Sequence, residues 1–488
     1  MSDRREVVLW YGRAPRLEVV AEFDAKGLRL EHVIDPYYRT DILPVRAVVF
    51  EISAECLESV VSAAEAQAGR ALDYNRLVIF NAVDDRSMGN AQKAIGEILA
   101  LPHAVRRTGA EARELAALAQ GHDKGGRPRL DLDISIANDR RPLEPGDTRL
   151  FRRAFADCTK VSLVELTGGR SDARVFAVHR TMDGSDGGVW PQPAFAKLDS
   201  PHKIALEYQN YRKYAEPFIP FGLRPNVSGT YEGSEKALMV GNFVDRSESL
   251  WDLARRNVAD EAINSLIDDT LAGWRAQAYT RNPDYGSIAA AMQGAGIFDP
   301  EKLQRSHLKH AERQGLRENF PKLWERLKAH SVHYRACPIH GDLHGENVRV
   351  RKGQAILIDL ASVAARGPAV ADLASLEVWL AFELPPECDA DRFGDDVWTR
   401  EVDRLLAVAC FQHPPGPVDP LSRFAWMANV VRQIRHMGIA AQTTSKEYQT
   451  AVAVQLLRRC QWDGAGDADR YRRSHGYVIA LNLIKDVL

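Results

Sequence analysis

The chain is 488 residues long, 45% apolar and 27% charged, with a formal net charge of −2 at neutral pH. That length exceeds what one hydrophobic core serves, so two or three domains are expected, and the composition excludes disordered, fibrous and small disulfide-stapled classes. The near-neutral charge leaves no electrostatic footprint for bulk nucleic acid or an anionic membrane surface. The opening MSDRREVVLWYGRAPRLEVV has too short an apolar stretch for a secretory signal, and no run approaches the roughly 18 apolar residues of a spanning helix. A cytoplasmic protein without membrane contact is expected. The six cysteines, Cys56, Cys158, Cys337, Cys388, Cys410 and Cys460, stand singly, as buried thiols rather than as the close pairs of zinc or redox sites.

Over residues 1–122, strand-like runs at Val7–Tyr11, Leu28–Val33, Arg46–Ile52 and Arg76–Val83 alternate with helical patterns, which predicts an α/β layered sheet. In SAECLESVVSAAEAQAGRA, Ser53 is the expected N-cap, Leu57, Val60, Val61 and Ala64 repeat at helical spacing, and Gly69 is the expected stop. Further helices are predicted from about Ser87 to Leu101 and from Ala110 to Gln120. The order and lengths resemble the receiver domain of two-component signalling, a flavodoxin-like fold. The functional positions depart from it. Tyr11 and Gly12 stand where a receiver holds metal-binding acids, Glu51 stands at the phospho-acceptor and Asn81 at the hydroxyl position, and no lysine-proline occurs near HAVRRTG. The resemblance therefore implies a degenerate module for regulation or for docking a protein partner. Some other small α/β domain is the alternative.

GHDKGGRPRL (Gly121–Leu130) and NDRRPLEPGDTR (Asn138–Arg149) are rich in glycine, proline and charge, so residues 123–150 read as a connector holding one strand, LDLDISIA. From Lys160, KVSLVELTGGRSDARVFAVHRT predicts two strands joined by a Gly-Gly turn, whose backbone N–H groups at Gly168, Gly169, Arg170 and Ser171 are candidates to lie over phosphates. Lys197 then sits in a short apolar strand and Glu207 follows ten residues later in a helical pattern. A strand lysine paired with a helix glutamate is how kinases orient a lysine toward nucleotide phosphates.

The segment CPIHGDLHGENVRV carries the most chemistry. Asp342 precedes Asn347 by five positions, and twelve residues later the strand AILIDL delivers Asp359. One carboxylate can take a hydroxyl proton, while an amide oxygen and a second carboxylate can hold magnesium on ATP phosphates. Zinc is not expected, because His340 and His344 lack a helical frame and a third ligand.

His340-Gly341-Asp342, Asn347, Ile358-Asp359 and Gly367-Pro368 followed by Asp372 resemble the aminoglycoside phosphotransferase and choline kinase group, which has a bilobal α+β protein-kinase-like fold. The resemblance extends over about residues 155–380. It implies an N-lobe at 151–245 and a C-lobe with a helical extension at 246–488. It implies ATP and Mg2+ as cofactors, Asp342 as catalytic base, Asn347 and Asp359 as metal ligands, and Lys197 with Glu207 on the phosphates under a cover formed by Gly168–Ser171. Met239, Val240, Gly241 and Asn242 would be the adenine-binding hinge, and His340 and Asp372 would be structural.

The C-terminal stripes EVDRLLAVACF, RFAWMANVVRQIRHM, KEYQTAVAVQLLRRCQW and GYVIALNLIKDVL predict a helical bundle. The KEYQTAVAVQLLRR stretch resembles kinase-like ternary-complex-associated domains of bacterial signalling systems. The acidic ELPPECDADRFGDD (Glu383–Asp396) reads as a solvated loop, with attraction of a cationic acceptor as the alternative. The expected activity is Mg-ATP-dependent phosphorylation of a hydroxyl on an unidentified small-molecule or protein acceptor, with a regulatory role. The alternatives are a nucleotide-binding pseudokinase or signalling scaffold, and an interaction protein with a relict site.

Overall fold

The computed structural model describes residues 5–38, 41–137, 141–166, 173–182, 192–242, 244, 246–385, 397–413, 416 and 422–488. The chain divides into two compact units, one of residues 1–208 with 226–245, the other of residues 209–225 with 246–488. Among the described residues no helix is long and apolar enough to cross a membrane.

The first unit opens with β1 (Glu6–Tyr11), α1 (Leu17–Ala25), β2 (Leu28–His32), β3 (Val45–Ile52), α2 (Leu57–Asp73), β4 (Leu77–Ala82), α3 (Asp85–Leu99), β5 (Ala104–Thr108) and α4 (Ala112–Gly121). The five strands are all parallel, in the order β2-β1-β3-β4-β5, a doubly wound arrangement with the 2-1-3-4-5 order. Alternate residues of β3 feed opposite cores. Val48 and Phe50 pack with Val60 and Ala64 of α2, while Ala47 and Val49 pack with Phe23 of α1 and Leu115 of α4. Both faces are covered, so the central strands read as nearly continuous apolar runs.

Helix α2 differs from expectation at both ends. It begins at Leu57, with Cys56 rather than Ser53 at the cap, and it runs through Gly69 to Asp73. Gly69 is an interior position of the helix rather than a stop, and a Cβ there would sit at an ordinary contact distance, 3.4 Å, from Ser234 Oγ. Helix α3 starts where Asp84 accepts the Ser87 N–H at 2.7 Å.

The connector is more structured than its composition suggests. After β6 (Asp133–Ala137) comes α5 (Pro145–Ala154), which starts inside the breaker-rich stretch. Pro145 occupies the first helical turn, where its missing N–H costs nothing, and Asp147 accepts the Glu144 N–H at 3.3 Å. The irregular part is pinned. Arg46 donates to the carbonyls of Ala119, Gln120 and His122, Asn75 donates to Asp123 O at 3.0 Å, and Lys124 pairs with Glu6.

The second sheet of this unit comprises β7 (Cys158–Glu165), β8 (Arg174–Met182), β9 (Ala194–Asp199), β10 (Val227–Glu232) and β11 (Ala237–Asn242), with α6 (Pro201–Asn210) between β9 and β10. Its order is β10-β11-β9-β8-β7-β6, antiparallel except that β6 adds in parallel to β7. Leu150 and Phe151 of α5, with Phe155 just after it, fill its core. Asp73, at the end of α2, joins the two sheets. It accepts Ser234 N and Oγ, each at 2.8 Å, and pairs with Arg149 at 2.8 Å, while Arg153 donates to Asp73 O and Glu232 O. The first domain and the sheet carrying Lys197 thus share one buried polar junction.

The second unit is mainly helical, with the small sheet Glu248–Ser249, Val348–Arg351 and Gln354–Leu357 and the ladder Ala336–Ile339 against Ala364–Pro368. The C-terminal stripes fall on helices Val397–Leu405, Ala425–Ala441, Glu447–Arg459 and Asp467–Val487. Arg435 and Glu377, both fully buried, pair between helices, and Tyr448 Oη donates to Glu377 Oε2 at 2.7 Å. Each lost hydration shell is thereby replaced by partners. Cys158, Cys337 and Cys460 are buried, and burial pushes each thiol up to about 12; Cys56 and Cys410 are only half-buried.

Candidate functional site

In the second unit the loop after Ile339 is built from its backbone outward. Asp372, in the first turn of helix Ala371–Phe382, accepts the backbone N–H of His340 at 2.7 Å and of Gly341 at 3.1 Å. His340 is fully buried and its Nε2 meets Ile358 O at 3.0 Å. A carbonyl only accepts, so Nε2 carries a proton and the ring braces the loop against the segment leading to Asp359. Burial pushes the Asp372 carboxyl above its ordinary range, opposed by His340 and by the two N–H groups it accepts.

Gly341 has φ +76, and a Cβ on it would lie 2.4 Å from Ser362 O. Only glycine fits there. The turn presents Asp342, whose side chain is 42% exposed. Asn347 Nδ2 donates to Asp342 O at 3.0 Å, which fixes the amide with its oxygen as the remaining donor atom for a cation. Gly345 sits where a Cβ would meet Trp379 at 2.7 Å and Trp251 at 3.1 Å. His344 stacks on Trp379, with ring centroids 5.3 Å apart, and its Nε2 lies 4.0 Å from Asp342 Oδ2.

Asp359 is an exposed residue in the left-handed region, φ 58 and ψ 74, between the strand Gln354–Leu357 and the turn Leu360–Ser362. Aspartate tolerates this conformation better than most residues, yet it remains uncommon and collects at functional positions. The turn is held by Asn210, whose Nδ2 donates to Leu360 O at 2.9 Å and Ala361 O at 3.3 Å.

In the first unit, Lys197 Nζ donates to Glu207 Oε2 at 2.7 Å, with both side chains largely withdrawn from solvent. Lys197 lies on β9 opposite Met239 on one side and Val175 on the other. Met239, Val240, Gly241 and Asn242 form the end of β11. The first three are paired across to both β10 and β9, and Asn242 is the exposed one of the four. Gly168, Gly169, Arg170 and Ser171 lie outside the described residues.

Two contributors were not singled out from the sequence, Asn210 and Arg458. Arg458, in the last turn of helix Glu447–Arg459, donates to Gly341 O and to Asp342 Oδ1, each at 2.9 Å. Its partner is 116 residues away, and no local spacing signals such a contact.

Among the described residues no group of three or more His, Cys, Asp or Glu side chains is placed to hold a metal. Asn347 and Asp359 offer two hard oxygen donors. Magnesium takes such a set, because it binds through one or two protein oxygens and completes its shell with water and phosphate.

Residues 258–406 match the Phosphotransferase enzyme family. The matched region contains every position from His340 to Asp372 on which the resemblance to the aminoglycoside phosphotransferase group rests. No curated protein matches the chain. Similar solved structures include a thermostable mutant of aminoglycoside phosphotransferase APH(4)-Ia in apo form, 14% identical over 66% of this chain and 95% of that one, with a TM-score of 0.37. A glucosamine kinase in complex with glucosamine, ADP and inorganic phosphate is 15% identical over 67% and 94%, with a TM-score of 0.35.

Proposed function

We propose that the protein is a Mg-ATP-dependent phosphotransferase acting on a hydroxyl of a small-molecule or protein acceptor. The observation that carries this reading is the loop from His340 to Asn347, which lies in the region matched by the phosphotransferase family. Its backbone is locked by Asp372 and Gly341 while the carboxylate of Asp342 stays accessible. Rigid placement of an exposed acid is what a proton acceptor in phosphoryl transfer requires.

In the proposed reaction the acceptor oxygen attacks the γ-phosphorus and the bond to the β,γ-bridging oxygen breaks. ADP leaves, and the hydroxyl proton passes to Asp342. Asn347 and Asp359 would hold magnesium, which when bound neutralises charge on the phosphates. Lys197, kept extended by Glu207, would bind phosphate oxygens, and the backbone around Asn242 would receive the purine. The first domain would dock or regulate.

The test is thermal unfolding with Mg-ATP, wild type beside Asp359→Ala. A ligand at about 100 times its dissociation constant adds roughly 2.7 kcal/mol to what it binds. A metal-dependent rise in wild type that is absent in the variant supports the site. No rise at any nucleotide concentration, in a folded preparation, removes the reading. Asp342→Asn should keep the rise and abolish phosphoryl transfer.

A further inference from the structure

We infer that Arg458 is a positioning residue for the base: it clamps Asp342 so that one carboxylate oxygen is engaged and the other is left to meet the acceptor hydroxyl. This rests on the phosphotransferase reading above. The clamp has two prongs, one on the main chain at Gly341 O and one on the side chain at Asp342 Oδ1, both at 2.9 Å. A planar guanidinium can span a carbonyl and a carboxylate on adjacent residues; an ammonium on a flexible stem holds them less specifically.

The arginine is delivered by a stiff element. Helix Glu447–Arg459 is buried along almost its whole length, from Tyr448 to Leu457. Gln449 ties its first half to Leu483 O and to Asp486, each at 3.0 Å. The Arg458 side chain is itself only 17% exposed. Opposite it, His344 stacks on Trp379 and brings Nε2 to 4.0 Å from Oδ2, the oxygen that Arg458 does not touch. Asp342 therefore has one oxygen against the helix and one toward His344, which restricts the direction from which a hydroxyl can present its proton. The transition state of phosphoryl transfer is loose and asks the base mainly to orient the nucleophile, so fixing this rotamer is the contribution that matters.

The experiment uses the full chain, with Mg-ATP as phosphoryl donor and water as acceptor, scoring ADP release by wild type, Arg458→Met and Arg458→Lys. Misplacing the base should lower kcat by roughly 10²-fold in Arg458→Met while KM for ATP stays within about two-fold. Arg458→Lys should recover part of the loss, and added guanidinium should raise the rate of Arg458→Met but not of wild type. An unchanged kcat, or a fall in kcat matched by an equal rise in KM and a lowered melting temperature, overturns the inference. A crystal structure of Arg458→Met gives a readout independent of turnover. The Asp342 carboxylate should leave its position, and finding it in place overturns the inference even where kcat has dropped. If wild type releases no ADP, water is not an acceptor for this site: the Mg-ATP stabilisation described above then decides the phosphotransferase reading, and the crystal structure alone decides whether Arg458 sets the Asp342 rotamer.

Discussion

Lys197 Nζ lies 2.7 Å from Glu207 Oε2, and the two side chains are only 13% and 8% exposed. A pair this buried gains little net stability over apolar residues, but leaving one partner alone costs about 3–5 kcal/mol. Glu207→Ala is expected to lower the unfolding free energy of the first unit, measured by urea titration, by an amount in that range, and to weaken ATP binding because Lys197 loses its orientation. The double variant Lys197→Met, Glu207→Leu should be less destabilised than the sum of the single changes. Additive losses in that cycle would show that the contact carries no coupling.

Asp372 makes the corresponding prediction for the loop that carries Asp342. Its two oxygens accept the N–H groups of His340 and Gly341, and replacing it by alanine leaves both donors buried without a partner. Each orphaned donor costs about 1–3 kcal/mol. Asp372→Asn can still accept one N–H, but its amide nitrogen then faces the other. Both variants should melt earlier than wild type, alanine more so, and both should lose phosphoryl transfer although neither touches the reacting atoms. A fully active Asp372→Ala would mean that the loop keeps its shape without this anchor.

The first relationship was legible from local spacing, whereas the structural role of Asp372, 32 residues from His340, came only from the resemblance to the aminoglycoside phosphotransferase group. Lys197 and Glu207 are ten residues apart, on adjoining elements, and the run from His340 to Asn347 is a single loop whose residue types announce its chemistry. The alternation of strands and helices in the first 122 residues likewise gave the layered sheet, since side-chain period follows from backbone geometry. What was not legible depends on distant pairs. Asp73 meets Ser234 across 161 residues and Arg458 meets Asp342 across 116. Gly69 was misread as a helix stop because a glycine weakens a helix without ending it, and here the helix continues to Asp73. The connector misled similarly. Proline and glycine at 145 and 146 mark a break by composition, yet the same Pro145 starts a helix once Asp147 closes back on Glu144 N.

The Asp73 junction predicts that residues 1–122 are not a detachable module. Asp73 is 3% exposed and receives Ser234 N, Ser234 Oγ and Arg149. Its replacement by alanine strands a half-buried guanidinium and two donors, so a loss of about 3–5 kcal/mol is expected. A chain starting at residue 123 exposes the same groups together with Arg153, and should be less soluble and more rapidly cleaved by protease than the full chain. Equal protease resistance of the two chains would show the junction to be dispensable.

Stability should depend on pH through Glu447. Glu447 is buried, and burial pushes its carboxyl up to about 7, although Oε2 accepts Thr443 N at 2.7 Å and Thr444 N at 3.3 Å. Its Oε1 has no hydrogen-bond partner among the described residues, and Ile288, Leu327, His330, Val332, Ser445, Lys446 and Thr450 line a small cavity beside it. A carboxyl whose folded value lies above the 4.5 of the unfolded chain holds its proton more tightly when folded. Its stabilising contribution is therefore fully present below about pH 4.5 and is lost as pH rises through about 7. The shift corresponds to on the order of 3 kcal/mol between the two limits. Glu447→Gln removes the titration, so its melting temperature should match or fall below wild type near pH ~5 and exceed it above pH ~8. His330 and Lys446, which line the same cavity, are unchanged in that comparison, so any pH dependence they cause is common to both proteins. Parallel melting curves for wild type and Glu447→Gln across that range would assign the carboxyl no part in the pH response.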